Sequence, residues 1–281
     1  AFTAVTQLGT ETAVLAYFPY FTAPPVGLAH RGGMIAGPAA TTTRPDLENT
    51  MVAFAAAVEL GFRYLETDVH ATSDGVLVAF HDTTLDRVTD ATGVISRLPW
   101  STVQQARIGG LEPIPTLADV LTRWPEVRIN IDIKSSGAIR PLWDCIVEYE
   151  AFDRVCVGSF SDRRLGAFRR LTRGQVATAA GPRETASIRF LSDRLARPAT
   201  ARAQVLQIPE TIRLRGKVIR LVTPELLARA HHAGMQVHVW TINDADDMRR
   251  LFDLGVDGIV SDRIDLLADV LAERGAWPPA R

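Results

Sequence analysis

The sequence has few cysteines. It contains two, Cys145 and Cys156, in 281 residues, and their spacing matches neither a zinc knuckle nor the disulfide framework of a small secreted domain. Thiolate metal sites and disulfide cross-links are therefore not expected to organise this chain. We expect both cysteines to be buried apolar residues, Cys145 in a helix and Cys156 in a strand.

The sequence also lacks an excess of charge of either sign. Lys and Arg total 31 and Asp and Glu total 32, which leaves a net charge of −1. A balanced chain has no overall field that would draw it onto nucleic acid or an anionic membrane. We therefore expect a small or locally recognised substrate and no nucleic-acid partner.

Long hydrophobic runs are absent as well. The apolar stretch at residues 13–21 is interrupted by polar and Pro residues and is shorter than the ~20 residues that span a bilayer. It also lacks the basic leader and long apolar run of a signal peptide. We expect a cytoplasmic protein without stable membrane insertion; a processed secreted form is the alternative, and the sequence predicts no oligomeric state.

What is present is a regular alternation. Hydrophobic residues make up 47% and charged residues 22% of the chain, the balance of a globular protein with a large core. Short apolar runs alternate with segments of helical period, which is typical of βα units around a parallel sheet. Eight runs have strand length: 26–30, 64–69, 128–133, 155–160, 175–179, 204–208, 236–241 and 258–261. Eight strands close a barrel, so we predict the α/β class and a single (β/α)8 TIM barrel domain over residues 1–281, with an N-terminal extension at 1–24.

One segment interrupts the alternation after the second strand. Ser73-Asp74-Gly75 lies between two extended runs and predicts a β-hairpin. If Asp74-Gly75 forms a two-residue turn, position 68 pairs with position 81, which brings His81 beside Asp68. The polar, irregular stretch 82–115 that follows predicts a small insertion over the barrel mouth. Its apolar residues fit either an apolar groove or the insertion's own core: Leu85, Val88, Val94, Ile95, Leu98 and Trp100.

Strand parity groups the candidate ligands. Alternate residues of a strand face the same side, so Glu66 and Asp68 point into the barrel together. Asp132 and Lys134 point inward from the third strand for the same reason. Because buried like charges are unfavourable without a cation between them, and carboxylates bind hard cations, these residues predict a metal site. The alternative for the third strand is a salt bridge between Lys134 and Asp132 that only fills the barrel.

Further polar residues follow strands or precede helices. His30-Arg31-Gly32 ends the first strand, where Arg can grip a phosphate through two parallel hydrogen bonds. Strand parity brings both His30 and Arg31 inward only if the backbone twists there, and a surface loop is the alternative. Asn49 and Thr50 precede a helix, so either residue could be its N-cap. Capping and a role in the site are equally acceptable here, and both can be true.

His81 and Trp240 complete the candidates. The alternative for His81 is an exposed imidazole in a turn, and its predicted position beside Asp68 argues against this. Trp240 ends the seventh strand and is either a stacking wall for an organic group or a core residue. The other histidines are expected at turn or helix surfaces (His70, His231 and His232) or inside the barrel (His238).

Taken in order, these motifs resemble the glycerophosphodiester phosphodiesterase family, which belongs to the phosphatidylinositol-phospholipase-C-like TIM barrels. The resemblance runs from about residue 26 to residue 267. It rests on Ala29-His30-Arg31-Gly32, Glu48-Asn49-Thr50, Glu66-Thr67-Asp68-Val69, Ser73-Asp74-Gly75, Phe80-His81-Asp82, Asn130-Ile131-Asp132-Ile133-Lys134, Trp240-Thr241-Ile242-Asn243 and Gly255-Val256-Asp257-Gly258-Ile259.

The resemblance implies a role for each candidate. His30 and His81 would be the general acid and base. The remaining roles are one divalent cation, Mg²⁺ or Ca²⁺, on Glu66, Asp68 and Asp132, and contacts to phosphate or substrate from Arg31, Lys134, Trp240, Glu48 and Asn49. Two positions depart from the family pattern: Leu47 replaces the usual Pro, and Asp132 replaces the usual Glu. The shorter Asp132 would lengthen a metal bond or admit a water.

The activity expected from the resemblance is metal-dependent hydrolysis of a glycerophosphodiester to an alcohol and glycerol phosphate, with water or a substrate hydroxyl as the nucleophile. A lysophospholipase D acting on lysophospholipids is the first alternative. A non-catalytic protein that binds phosphate compounds is the second, because a fold does not dictate a function.

Overall fold

The fold is that of a computed structural model, which describes residues 18–34, 45–191, 202–214 and 216–278. Thirteen strands occur in these ranges. In chain order they are β1 (Val26–His30), β2 (Tyr64–Ala71), β3 (Leu77–Ala79), β4 (Arg107–Ile108), β5 (Glu112–Pro113), β6 (Arg128–Ile133), β7 (Val155–Gly158), β8 (Ala177–Thr178), β9 (Val205–Pro209), β10 (Thr211–Leu214), β11 (Lys217–Arg220), β12 (Gln236–Trp240) and β13 (Gly258–Ser261).

Eight of these strands form a nearly closed parallel barrel in the order β8-β7-β6-β2-β1-β13-β12-β9. A parallel bridge between Ala179 and Val205 joins the two ends of this order. All eight predicted strands are present, and the (β/α)8 TIM barrel is confirmed. The active sites of such barrels lie at the carboxyl ends of the strands, which is where the predicted site residues fall.

Nine α-helices occur in the described ranges, and most of them pack outside the barrel. They are α1 (Met51–Leu60), α2 (Trp100–Val103), α3 (Leu117–Arg123), α4 (Ile139–Glu148), α5 (Asp162–Thr172), α6 (Pro182–Phe190), α7 (Pro224–His232), α8 (Ala245–Leu254) and α9 (Ile264–Glu273). Thr50 caps α1 by accepting a hydrogen bond from the Ala53 amide. Leu65 and Val69 of β2 pack outward into the core between strands and helices, as strand parity predicts.

The amino ends of the strands are closed by Tyr20. This side chain is fully buried among Val26, Tyr64 and Val205, all of which lie at strand starts. The Tyr64 hydroxyl donates to the Tyr20 carbonyl at 2.6 Å. Residues 1–17 of the predicted extension 1–24 lie outside the described residues. Tyr20 belongs to the remainder of this extension and closes the amino end of the barrel.

The hairpin after β2 is present, but its predicted register is wrong by one residue. Val69 pairs with Ala79 and Ala71 with Leu77, and the amide of Phe80 donates to the carbonyl of Asp68. The loop therefore has three residues, 73–75, and not two, because Gly75 adopts a left-handed conformation with φ +89°. Asp68 lies opposite Phe80, and His81 is one residue farther along.

Residues 82–115 form a small unit with its own core. Five of the six apolar side chains on which we based a possible groove are buried there or packed against this core: Leu85, Val88, Ile95, Leu98 and Trp100. Of the two alternatives for these residues, the structure therefore favours core packing. The location of residues 82–115 over the barrel mouth stays a prediction. So does the single domain over residues 1–281.

The two cysteines and two of the histidines differ in burial. Cys156 is buried in β7 as predicted, whereas Cys145 in α4 is half-buried, and both are free thiols. His70 was expected at a surface but is buried in β2, and His238 lies inside the barrel as predicted. Among the described residues, no helix is both long and apolar enough to span a bilayer.

Candidate active site

A cavity of about 500 Å³ opens over the carboxyl ends of the strands. It gathers eight of the ten predicted site residues in its lining: His30, Arg31, Glu66, Asp68, His81, Asp132, Lys134 and Trp240. The remaining two, Glu48 and Asn49, lie directly behind this lining and contact Arg31 and Asp68, respectively. The chain thus brings residues from four barrel strands, β1, β2, β6 and β12, and from the loops after β1, β3 and β6 into one place.

A backbone twist at the end of β1 brings both His30 and Arg31 to the cavity. Arg31 has a left-handed conformation with φ +51°, followed by Gly32 at φ +88°. A Cβ at Gly32 would lie 2.8 Å from the Cβ of Ala53, so the close packing against α1 requires glycine. The backbone twist that is needed for both His30 and Arg31 to face the barrel interior is therefore present.

Arg31 is held by three carboxylates. Its amide donates to Glu66 at 3.1 Å, and its Nη1 donates to Glu48 at 3.1 Å. Its Nε lies 3.2 Å from Oδ2 of Asp68, an ion pair without hydrogen-bond geometry. This arrangement fixes the guanidinium beside the cluster of carboxylates, where it can also contact an anionic ligand.

His30 is oriented by a residue from the far end of the chain. Its Nδ1 lies 2.6 Å from Oδ1 of Asp262, and its Nε2 lies 3.8 Å from Glu66. Since a carboxylate only accepts hydrogen bonds, Nδ1 carries the hydrogen and Nε2 faces the cavity. Burial lowers the pKa of His30, but the Asp262 hydrogen bond and the Glu66 charge outweigh burial and raise it.

His81 is held in the same way on another side of the cavity. Its Nδ1 lies 2.6 Å from Oδ1 of Asp82, and its carbonyl lies 3.1 Å from Nε2 of His70. Hydrogen bonds from Arg87 lower the pKa of Asp82 to about 2. An ionised Asp82 therefore keeps the Nδ1 hydrogen of His81 in place, so that Nε2 is the nitrogen available to a ligand.

Arg87 connects the two sides of the site. Two of its nitrogens contact Asp82, at 2.6 and 3.1 Å. Two contacts also reach Glu48, at 2.6 and 3.1 Å, and Glu48 in turn accepts from Arg31. Residues 82–115 are thereby linked to the loop after β1 through a continuous chain of charged hydrogen bonds.

The carboxylates are neighbours in the sheet. Asp68 and Asp132 are paired across β2 and β6, and Glu66 is paired with Asn130. Lys134 lies 2.9 Å from Asp68 and 2.7 Å from Asp132. The inward salt bridge that we considered for β6 is therefore present, but it lies within the cavity and includes a second carboxylate.

The charges in this cluster shift one another's pKa. Burial raises the pKa of Glu66, and the charge of Asp68 adds to this, bringing it to about 7. For Asp68, the charges of Lys134 and Arg31 outweigh burial and lower the pKa. Burial raises the pKa of Asp132. The three carboxylates of this cluster thus outnumber the two cations, Arg31 and Lys134, that stabilise their charged forms.

The donor set fits a hard divalent cation in its chemistry. Glu66 and Asp68 are buried carboxylates that repel each other, and Oδ1 of Asp132 is buried without a hydrogen-bond partner. The geometry is not a preformed cage: within the described ranges, no three His, Cys, Asp or Glu side chains are grouped as a metal site. Lys134 stands between two of the three carboxylates instead.

Asn49 and Thr50 divide the two predicted contacts between them. Thr50 is the N-cap of α1, whereas Asn49 donates from Nδ2 to Asp68 at 3.3 Å. Its Oδ1 accepts a hydrogen bond from Thr67 at 2.7 Å. Asn49 therefore supports the carboxylate that lies deepest in the cluster, and both roles occur in this motif on adjacent residues.

The far half of the cavity is apolar. Trp240 lines it and packs edge to face against Phe160, with ring centroids 5.4 Å apart. The rest of this half comes from the carboxyl ends of β8 and β9, from α6 and from β10. Its apolar members include Ala179, Ala180, Ala186, Phe190, Ile208 and Ile212. The cavity thus has a charged end over β1, β2 and β6 and an apolar end on the opposite side.

Three residues of the site were not predicted from the sequence. Asp262 orients His30, Asn243 donates to Asp262 at 2.9 Å, and Arg87 bridges two carboxylates. Asp262 directly follows β13, and residues at the carboxyl ends of barrel strands are frequently functional. That rule was a usable signal for Asp262, whereas nothing in the local sequence singles out Arg87.

Comparison with known proteins now decides the family. The model of the glycerophosphoryl diester phosphodiesterase family matches residues 30–266. The chain belongs to this family. It is accordingly a phosphoric diester hydrolase, and the matched range begins at His30 and includes every predicted site residue.

Similar proteins agree with this assignment. The probable glycerophosphodiester phosphodiesterase 2 of Mycobacterium tuberculosis is 42% identical over 262 residues, which cover 91% of this chain and 94% of that protein. A glycerophosphoryl diester phosphodiesterase structure from Silicibacter pomeroyi has a TM-score of 0.74 at 23% identity and covers 92% of this chain and 99% of its own. A phosphodiesterase of Oleispira antarctica, in complex with the product sn-glycerol-3-phosphate, has a TM-score of 0.70 at 22% identity. The match covers 89% of this chain and 97% of that one.

Proposed function

We propose that this family member hydrolyses glycerophosphodiesters to an alcohol and glycerol phosphate, with His30 and His81 as the acid and base. One observation carries the proposal: two imidazoles, each held by a carboxylate through Nδ1, line a single cavity that also contains fixed cations. The Oleispira antarctica relative, of the same fold, binds sn-glycerol-3-phosphate, which is the product proposed here.

The two imidazoles supply the proton transfers of the reaction. Breaking the P–O bond requires that the nucleophile, water or a substrate hydroxyl, loses a proton and that the departing alkoxide gains one. Overall, one water is consumed and an alcohol and a phosphomonoester are released. Nε2 of His30 and Nε2 of His81 are the nitrogens free to do this, because Nδ1 of each is bonded to Asp262 or Asp82.

Charge on the phosphoryl oxygens is met by Arg31 and Lys134, which both line the cavity. Each cation is already balanced by carboxylates, so a substrate phosphate would exchange contacts and not introduce unpaired charge. A group of this kind typically contributes about a hundredfold or more to the rate through stabilisation of developing charge.

A divalent cation is part of the proposal. Glu66, Asp68 and Asp132 would hold it once Lys134 turned from the carboxylates towards the substrate phosphate. When bound, such an ion polarises phosphoryl oxygens and neutralises their charge. Binding is measured directly by titration calorimetry with Mg²⁺ and Ca²⁺: a single site that D68N abolishes supports the proposal, and unchanged binding in D68N contradicts it.

Asp132 offers a matched variant for the same site. The D132E substitution restores the longer side chain usual in the family, so we expect tighter cation binding and an unchanged fold. Weaker binding in D132E would show that the cavity is adapted to the shorter carboxylate and that Asp132 is not limited by its reach.

The catalytic assignment is tested by H30A and H81A. We expect each variant to lose release of choline and glycerol phosphate from glycerophosphocholine by at least about a hundredfold, the usual scale for general acid–base groups. H232A, on the exposed end of α7, is the matched control and should keep full activity. Full activity in H30A or H81A contradicts the assignment.

Lysophospholipids are a second candidate substrate class. The apolar half of the cavity, which includes Phe160, Ile212 and Trp240, suits an acyl chain. Comparing kcat/KM for lysophosphatidylcholine and glycerophosphocholine separates the two classes. We expect I212D to lower the first value selectively if the acyl chain occupies this half.

A further inference from the structure

Helix α6 forms one wall of the cavity along its whole length. The residues that it contributes to the lining are Pro182, Thr185, Ala186, Arg189 and Phe190. Their spacing of three and four residues places them on one face of the helix. The helix begins after β8, and its last turn is joined to β11, where Nη2 of Arg189 donates to the Arg220 carbonyl at 3.3 Å.

This wall lies across the cavity from the charged end. In the nearly closed order of eight strands, β8 is four strands away from β1, and β9 is four strands away from β2. Among the described residues, the acidic side chains of the lining all belong to β2 and β6: Glu66, Asp68 and Asp132. Within the same part of the chain, the lining from α6 and β9 contains a cation, Arg189, and no carboxylate.

Arg189 differs from the other cations of the cavity in its partners. The side chains of Arg31 and Lys134 each contact two carboxylates, at 2.7–3.2 Å. Arg189 forms no ion pair with any residue that the structure describes. Its guanidinium is held by the Arg220 carbonyl and by the ring of Phe190, whose centroid lies 5.0 Å from Cζ.

One donor of Arg189 is unused. Its Nε is buried and has no hydrogen-bond partner. A buried N–H without an acceptor is unfavourable, and a charged one more so. Because the lining beside it offers no carboxylate, a ligand in the cavity is the source of an acceptor that the protein does not provide.

Glu225, in the first turn of α7, gives Arg189 only a weak interaction. Hydrogen bonds from its own amide and from Thr223 lower the pKa of Glu225, and the charges of Arg189 and Arg229 contribute less. Glu225 is exposed and lies outside the cavity lining. Since water and salt screen an interaction of this kind, the charge of Arg189 stays available to a ligand.

We propose that Arg189 determines substrate specificity by binding a second anionic group, carried on the alcohol part of the phosphodiester. The inference rests on the proposed function, in which the scissile phosphate lies at the charged end with His30 and His81. The alcohol then extends towards α6, where its anionic group meets Arg189 and the apolar surroundings strengthen the ion pair.

The substrate class is therefore a glycerophosphodiester whose alcohol bears a further phosphate. An acyl chain in this position would supply no acceptor for the guanidinium. The inference accordingly favours a doubly charged, water-soluble substrate over a lysophospholipid.

Two matched substrates test the inference. Glycerophosphoglycerol has a neutral alcohol, and glycerophosphoglycerol phosphate carries one more phosphate on the same alcohol. We expect kcat/KM for the second to exceed that for the first by at least about tenfold, the scale of a hydrogen bond to a charged group, and added salt to reduce this ratio. R189M should bring the ratio close to one, whereas R189K, which keeps the charge but not the planar fork of donors, should keep part of it.

R183M is the matched control. Arg183 belongs to the same helix, is exposed and lies outside the cavity lining, so R183M removes the same charge and should leave the ratio unchanged. A ratio near one in the unaltered protein overturns the inference. An R189M enzyme that loses the same fraction of kcat/KM on both substrates also overturns it, because that result indicates a structural role.

Titration calorimetry separates this inference from the proposed function. The protein is H30A, which should bind both compounds without cleaving them. We expect it to bind glycerophosphoglycerol phosphate at least about tenfold more tightly than glycerophosphoglycerol, and H30A/R189M to show no such difference. Failure of the unaltered protein to hydrolyse either compound contradicts the proposed function, whereas equal affinities in H30A overturn the inference alone.

Discussion

The contact between Asp262 and His30 supports a quantitative prediction. Asp262 accepts from Nδ1 of His30 at 2.6 Å and is itself held by Asn243 at 2.9 Å. D262N keeps the size of the side chain and an acceptor oxygen but removes the charge. Hydrogen bonds to charged groups contribute about 1.5–3 kcal/mol, so kcat/KM should fall about 10- to 150-fold at 1.36 kcal/mol per decade.

The pH profile distinguishes positioning from a structural effect. The Asp262 hydrogen bond and the nearby negative charges raise the pKa of His30 against the opposing effect of burial. Removing the Asp262 charge therefore lowers the pKa, and the limb of the kcat/KM profile that reports His30 should move to lower pH. A merely destabilised protein would lose activity without this displacement.

The assay is release of glycerol phosphate from glycerophosphocholine across a range of pH. D265N is the control, because Asp265 is a half-exposed residue of α9 that pairs with Arg263 outside the cavity. It should leave both the rate and the limb unchanged. A D262N enzyme within twofold of the unaltered rate and with the same limb would refute the positioning role of Asp262.

Three further predictions concern the network and the core. R87M removes the hydrogen bonds that lower the pKa of Asp82, so the pKa of Asp82 should rise. We expect kcat/KM to fall by up to about fivefold, the limit for a half-exposed ion pair. The pH profile of kcat/KM for R87M measures both effects. Burial lowers the pKa of His238 to about 3, whereas a histidine in the unfolded chain has a pKa of about 6.5. The free energy of unfolding therefore decreases as pH falls from 6.5 towards 3, by about 2 kcal/mol between pH 7 and pH 5. Urea denaturation at both pH values should show this loss, and H238Q should lack it. F54A empties a fully buried position and should cost about 3–5 kcal/mol in the same measurement.

Much of the fold could be predicted because it depends on short-range patterns. The apolar runs that mark the eight strands are buried on both faces, so the sequence shows them directly. Hairpin register was harder, because it depends on the conformation of one residue: Gly75 at φ +89° lengthens the loop to three residues. His81 still reaches the cavity, although Asp68 pairs with Phe80.

The sequence by itself determined which residues share the charged end of the cavity. Side chains alternate along a strand with a period of two, and this places Glu66 with Asp68 and Asp132 with Lys134. Only the tertiary structure decided their partners. His30 and Asp262 are 232 residues apart and meet because β1 and β13 are neighbours in the barrel. The apolar end has the same origin, since its walls come from α6 and from the β10–β11 hairpin, whose positions follow from packing and not from any local motif.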